Sequence, residues 1–247
     1  MKITLLQMDL AWNDAAENIR RAEALTAGTA SDLYVLPEMW ATGFMVEPED
    51  VIVDEEQSEA LSWMKAFAQA HQCAIAGSLA VRAADGTYRN RHYFVTPTTC
   101  KFYDKHHLFT HGGEHLHFAA GTEAVVCEWQ GCRFMLQTCY DLRFPVFARY
   151  GRNGHTYDVL IYVANWPQSR RLAWDTLIRA RAIENQCYVL AVNRVGQDAV
   201  STYDGGSAII DPLGRVLGEG CCTTDVDVAS LLQIRRRFRV LDDCDVC

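Results

Sequence analysis

A cysteine that closes an apolar run and opens a polar one is the first candidate for chemistry. In Leu136-Gln137-Thr138-Cys139-Tyr140-Asp141-Leu142-Arg143-Phe144-Pro145 the apolar residues read as a strand ending at Cys139. A Cys at a strand-to-helix turn lies at the strand's carboxyl end, where α/β proteins place ligands. There the thiol is a candidate nucleophile, and the Tyr140 N–H is placed to meet a developing oxyanion. A free thiol has a pKa near 8.5, so only about 3% is thiolate at neutral pH and the nucleophile needs a base or a nearby cation. Read alone, among ten cysteines, Cys139 is by default a buried structural thiol.

Two residue types elsewhere would supply what the thiol lacks. Glu38 follows the apolar run Leu33 to Leu36 directly, in Leu36-Pro37-Glu38-Met39-Trp40, a position that suits a base in low-dielectric surroundings. Standing alone it is a turn carboxylate. Lys105 ends the β-type run Cys100 to Asp104, where an ammonium can sit beside an oxyanion and a thiolate; most Lys at strand ends are simply solvated. Glu114, in Gly112-Gly113-Glu114-His115, follows two glycines that permit a tight turn aiming it inward. The neighbouring His106, His107, His111, His115 and His117 have HxH and HxxxH spacings, but a loop fixes neither geometry and no catalytic zinc motif accompanies them, so no metal is expected.

The elements that must position these residues alternate. Ile3 to Met8 reads as a strand, and Asp14 caps a helix running to about Thr26. Leu33 to Leu36 reads as a buried strand and Ser58 to His71 as an amphipathic helix. Cys73 to Val81, Arg91 to Thr96 and Cys100 to Asp104 read as strands joined by turns, the first carrying Asp85-Gly86. Ala124 to Glu128 and Cys132 to Gln137 follow, then a helix after Pro145, a strand from Val159 to Ala164, and a helix from Arg170 to Asn185. Tyr188 to Val192, Ser207 to Ile210 and Val226 to Val228 complete the strands, ahead of the basic segment Arg235-Arg236-Arg237, read as a solvated face. Alternation suggests an α/β fold, and the strands between 73 and 105 add hairpins to the crossovers. No linker divides the 247 residues, so one domain over 1–247 is expected.

Composition narrows the function. With 23 Lys+Arg against 31 Asp+Glu the net charge is −8, which repels phosphate backbones and disfavours nucleic acid as a partner. Apolar runs such as Val159 to Ala164 fall far short of the ~18 residues that span a bilayer. Gln7 and Asp9 interrupt the opening apolar stretch, so it does not read as a signal peptide, and a reducing cytoplasm is expected. Cys73, Cys127, Cys132 and Cys187 sit in apolar runs as small core residues, and on the expectation of no Cys-x-x-Cys pair, thioredoxin-like and zinc-ribbon readings are set aside.

Taken together, the motifs around Glu38, Lys105 and Cys139, spaced 67 and 34 residues apart, resemble those of the nitrilase, or carbon–nitrogen hydrolase, superfamily. The resemblance runs along nearly the whole chain. It includes Gln7-Met8-Asp9-Leu10, Asn165-Trp166-Pro167, Arg181-Ala182-Ile183-Glu184-Asn185-Gln186, and Gly206-Ser207 with Asp211-Pro212-Leu213-Gly214. It implies a Glu38–Lys105–Cys139 triad, with Glu114 as a second glutamate that positions it. It also implies a four-layer αββα sandwich, dimers that extend the sandwich, and no cofactor. Val146 stands where many relatives carry an acidic residue. Within the family, Met39-Trp40-Ala41-Thr42-Gly43-Phe44 and Gly112-Gly113-Glu114-His115 look most like the bacterial omega-amidase branch, which hydrolyses the distal amide of short 2-oxo acids such as 2-oxoglutaramate and 2-oxosuccinamate.

This resemblance implies hydrolysis through a Cys139 thioester, with Lys105 and the Tyr140 N–H on the oxyanion. Arg143 is expected to bind a substrate carboxylate or to form a structural ion pair, and Phe44, Trp166 and Tyr140 to wall the pocket. The alternatives are the same chemistry on deaminated glutathione, an N-carbamoyl amine or an aliphatic amide, and a catalytically silent binding protein on this fold.

Overall fold

The computed structural model describes residues 1–48 and 52–243. Its elements, in chain order, are β1 (Lys2–Leu5), α1 (Ala15–Thr26), β2 (Leu33–Val35), α2 (Glu59–His71), β3 (Ala74–Arg82), β4 (Tyr88–Val95), β5 (Cys100–Asp104), β6 (Val126–Trp129) and β7 (Cys132–Thr138). There follow β8 (Val159–Ala164), α3 (Arg171–Glu184), β9 (Tyr188–Asn193), β10 (Val195–Gln197), β11 (Thr202–Asp204), β12 (Ala208–Ile210), β13 (Val216–Glu219), β14 (Cys222–Asp225) and α4 (Val228–Arg237).

The strands form two six-stranded sheets, ordered β14-β1-β2-β3-β4-β5 and β13-β12-β9-β8-β7-β6, and a ribbon of β10 and β11. Each sheet has three parallel strands at its centre, β1-β2-β3 in one and β7-β8-β9 in the other, flanked by antiparallel strands. Parallel strands covered on both faces read as continuous apolar runs. Val159–Ala164 is such a run, buried at every residue.

The inner faces meet in one core, where Ile3, Leu5, Val35, Ala76 and Phe94 pack with Phe134, Leu136, Ile161, Val163 and Leu190. The outer face of the first sheet packs Tyr34, Ile75 and Leu79 against Ala22 of α1 and Leu61, Met64 and Ala68 of α2. The outer face of the second packs Leu160, Tyr162 and Val189 against Trp174, Ile178 and Ala182 of α3. The result is the expected αββα layering. Local signals set the helix ends: Asp14 accepts Glu17 N–H at 3.0 Å and Ser58 accepts Leu61 N–H at 3.2 Å.

Several expectations are corrected. No helix follows Pro145, where residues 145–148 form turns; instead a 3₁₀ segment, Cys139–Arg143, precedes it. The residue before a proline avoids the helical region, and Phe144 is extended at φ −119°, ψ 81°, so the segment stops at Arg143. The last strand is β14, not Val226 to Val228; Asp227 instead caps α4, accepting Ala229 N–H and Ser230 N–H. Arg235, read as part of a solvated face, turns inward to Gln186 O and Tyr157 O at 2.9 Å each. Eight described cysteines are free thiols, with Cys73, Cys127, Cys132 and Cys187 buried as expected. The chain does hold one Cys-x-x-Cys spacing, Cys244 to Cys247, which the dismissal of redox and zinc motifs passed over; it lies outside the described residues. Among the described residues no helix is long and apolar enough to cross a membrane.

Candidate active site

Three strand ends and one loop deliver the candidate residues to one place. Glu38 sits in the turn just past β2, held because Met39 N–H donates to Ser78 Oγ at 2.9 Å and Trp40 N–H to Ser78 O at 3.1 Å on β3. Lys105 immediately follows β5, its N–H donating to Asn90 O on β4 at 2.9 Å. Cys139 follows β7 and opens the 3₁₀ segment with φ +45°, a left-handed conformation that side chains rarely adopt. Strained, well-determined backbone of this kind is characteristic of a nucleophile presented on a sharp turn. Glu114 begins a short 3₁₀ turn behind Gly113, whose φ of +83° supplies the bend.

The four meet inside the protein. Lys105 Nζ donates to Glu38 Oε1 at 2.8 Å and to Glu114 Oε2 and Oε1 at 2.8 and 3.1 Å, with all three side chains fully buried. The reading of Glu38 and Lys105, each taken alone, as ordinary solvated end groups therefore fails. Two residues that the sequence reading did not single out complete the lattice. Asn90 Nδ2 donates to both carboxylates, 2.8 Å to Glu38 Oε1 and 2.9 Å to Glu114 Oε1. Asn165 donates its N–H to Glu38 Oε2 at 2.9 Å and its Nδ2 to the Glu38 carbonyl at 2.6 Å. Phe109 N–H adds a 2.6 Å bond to Glu114 Oε2. A buried carboxylate with this many donors is fixed in orientation and satisfied in its hydrogen bonds.

A third residue fixes the Cys139 turn. Asp141, fully buried, accepts Thr138 N–H at 2.9 Å and Tyr103 OH at 2.8 Å through Oδ2, and His107 N–H at 2.9 Å through Oδ1. It thereby ties the Cys139 turn to the residues on either side of Lys105. Two loop histidines are accounted for here: His107 Nδ1 lies 2.9 Å from Asp141 Oδ1, and His106 Nδ1 lies 2.7 Å from Gly121 O.

The electrostatics follow from burial and pairing. Burial works against the Lys105 charge, but Glu114 and Glu38 outweigh it and push its pKa above the ordinary value. Burial raises the Glu114 pKa, with Lys105 opposing. Burial and then the Glu38 charge push the Cys139 thiol well up, Lys105 opposing. Free Cys139 is thus a thiol awaiting a base, not a standing thiolate.

Cys139, 8% exposed, opens on a cavity of about 530 Å³. Phe44, Tyr140, Arg143 and Trp166 line it together with Phe109 and Arg170. The candidate pocket residues therefore share one cavity with the thiol, while Glu38, Lys105 and Glu114 lie behind the wall. The Arg143 guanidinium lies over the Trp166 ring, 4.8 Å from its centroid. Tyr140, second in the 3₁₀ segment, has no carbonyl within that segment to receive its N–H.

Comparison with known proteins agrees with this fold. The carbon–nitrogen hydrolase family model matches residues 2–236. The chain is 41% identical to Omega-amidase YafV of Escherichia coli K12, over 99% of this chain and 97% of that protein. It is 38% identical to the 2-oxoglutaramate amidase of Bacillus subtilis, over 98% and 96%. A crystal structure from Xanthomonas campestris, a CN-hydrolase superfamily protein with an arsenic adduct in its active site, superposes with a TM-score of 0.93 at 41% identity, covering 99% of this chain and 97% of that one. Saccharomyces cerevisiae Nit3 shares the fold at a TM-score of 0.83 and 20% identity, covering 96% and 94%. The chain belongs to the carbon–nitrogen hydrolase family.

Proposed function

We propose that the protein is an omega-amidase, hydrolysing the distal amide of a short 2-oxo acid, 2-oxoglutaramate or 2-oxosuccinamate, to the 2-oxo acid and ammonia. One observation carries the reading. Of the four buried polar groups only Cys139 reaches the cavity, and the same cavity presents the Arg143 guanidinium, which has no carboxylate partner among the described residues. Names of relatives at 38–41% identity support the same substrate class.

In the proposed cycle Cys139 Sγ attacks the amide carbon as its proton passes to Glu38. One Lys105 N–H, shared between the two Glu114 oxygens, leaves another free beside the one given to Glu38. That N–H and the Tyr140 N–H take the oxyanion. The carbon–nitrogen bond then breaks, and the nitrogen takes the proton from Glu38 and leaves as ammonia. Glu38 next removes a proton from water, which attacks the thioester, and the thiol is reformed as the acid departs. Arg143 holds the substrate carboxylate, and Phe44 and Trp166 wall the carbon chain. The scheme needs no metal or organic cofactor.

The test is ammonia release from 2-oxoglutaramate, glutamine and a neutral aliphatic amide, with wild type and Cys139→Ala. Release from the oxo-acid amide that disappears in the variant is expected. Equal release from both proteins would sink the thioester scheme, and a preference for the other amides would discard the branch. We also read the enzyme as a cytoplasmic homodimer formed from one hydrolase domain. The eight described free thiols suit a reducing compartment. Leu172 and Ile183, left 82% and 49% exposed on α3, suit a subunit contact, which light scattering tests.

A further inference from the structure

Two guanidinium groups, not one, line the cavity into which Cys139 opens. Arg143 stands four residues past the thiol on its shelf of Trp166. Arg170 comes from the 3₁₀ turn Gln168–Arg170 at the head of α3, and its guanidinium carbon lies 5.2 Å from the Phe109 ring centroid. The two shelves are joined. Trp166 Nε1 donates to Arg170 O at 2.9 Å, and the Phe109 ring lies 5.1 Å from that of Tyr140.

Most described arginines of the fold pair with carboxylates, and these two do not. Arg82, Arg91, Arg171 and Arg194 all pair with carboxylates. Among the described residues neither Arg143 nor Arg170 has such a partner, only an aromatic face. Asp198, the carboxylate that lines the same cavity among the described residues, is taken by its own loop: it accepts Val200 N–H at 2.8 Å, Ser201 N–H at 2.7 Å and Tyr203 OH at 2.7 Å. A half-buried guanidinium set over an aromatic ring, with its N–H fork unused, presents a preorganised anion site.

We infer that Arg170 is a specificity-determining anion receptor of this cavity, holding the carboxylate head of an omega-amide together with Arg143 while the neutral amide points to Cys139. The inference rests on the amidase reading above and deepens it. A bond to the head group, remote from the reacting carbon, holds substrate and transition state alike, so its loss is read in KM. Arg170 binds through its side chain, whereas its contribution to the fold is the carbonyl that receives Trp166 Nε1, so a side-chain substitution leaves that bond in place.

Arg170→Gln and Arg170→Lys test this. Loss of a charge-assisted bond is expected to raise KM for 2-oxoglutaramate about tenfold or more with kcat little changed, and to lower the preference for 2-oxoglutaramate over butyramide by a similar factor. The Lys variant, which keeps the charge and loses the fork, falls between. An unchanged KM, or an equal loss on butyramide, overturns the inference. Calorimetry of 2-oxoglutaramate binding to Cys139→Ala, with and without Arg170→Gln, separates the two claims. If wild type cleaves no oxo-acid amide but binds the anion through Arg170, the amidase reading falls and the receptor stands. If wild type cleaves it and Arg170→Gln changes neither KM nor binding, the receptor falls and the amidase reading stands. No binding to either protein overturns the receptor.

Discussion

Replacing Asn90 with alanine is the sharpest test of how the buried site is held. The Asn90 Nδ2 group is the one side-chain amide seen to touch both glutamates, at 2.8 and 2.9 Å. A hydrogen bond to a charged group contributes about 1.5–3 kcal/mol. Both acceptors keep other donors in the variant: Glu38 retains Lys105 and Asn165, and Glu114 retains Lys105 and Phe109. The lower end of the range therefore applies to each, for a total near 3 kcal/mol. At about 2–4 °C per kcal/mol for a chain of this size, the expected fall in Tm is roughly 6–12 °C. Catalysis should suffer more than stability implies, because a base displaced by about 1 Å can cost ~10²-fold in rate. The Asn90 bond also lowers the Glu114 pKa against the upward push of burial, so its loss raises that pKa further. A folded-state pKa above the unfolded one gives stability that is full in acid and is lost as pH rises through the folded value. In Asn90→Ala that loss should extend to higher pH. The assays are calorimetric melting from pH 5 to 8 and the kcat for ammonia release. A Tm within 2 °C of wild type, with kcat within about twofold, would refute the claim that Asn90 clamps the pair.

Lys105→Met should cost about 3–5 kcal/mol near pH 8, since it strands two buried carboxylates. The Lys105 pKa is raised from its ordinary 10.5, so wild type keeps this stabilisation below that pH and loses it above. At pH 5 the stranded Glu114, whose pKa burial raises, takes up a proton more readily, so the gap between urea midpoints should shrink; an equal gap at pH 5 and 8 contradicts the charge argument. Alkylation of Cys139 by iodoacetamide should still be accelerating at pH 9, because burial and Glu38 hold the thiol up. The exposed Cys100 and Cys221 should react, while Cys127 and Cys132, buried and pushed up to about 12, stay unlabelled in the native protein. A Cys139 rate that levels off near pH 7, followed by mass spectrometry, would show a preformed thiolate instead.

Much of this was legible in the chain because the signals are local. Cys139 stands where a buried run ends, and Val159–Ala164 is apolar throughout because both its faces are covered. Gly113 announces the bend before Glu114. Asn90 was not legible: it is a polar residue in mid-strand, and its partners lie 52 and 24 residues away along the chain. Asp141 reads as the polar beginning of a helix, yet its ligands come from β5 and the loop beyond. The short strands β10, β11 and β13 escaped because they are three or four residues long and only partly buried, leaving no apolar run or clean alternation. Arg170 gave no sign either, since an anion receptor is defined by the partner it lacks, which only the folded chain reveals.

The buried lattice behind Cys139 has two carboxylates, each surrounded by N–H donors, and one ammonium. It therefore carries one uncompensated negative charge in a medium where charge is poorly screened. A neutral amide feels little of this, but the acid that hydrolysis leaves behind is an anion at the same spot. On the proposed cycle, the wall behind Cys139 therefore disfavours the product at the thiol, so hydrolysis converts a tolerated ligand into a repelled one.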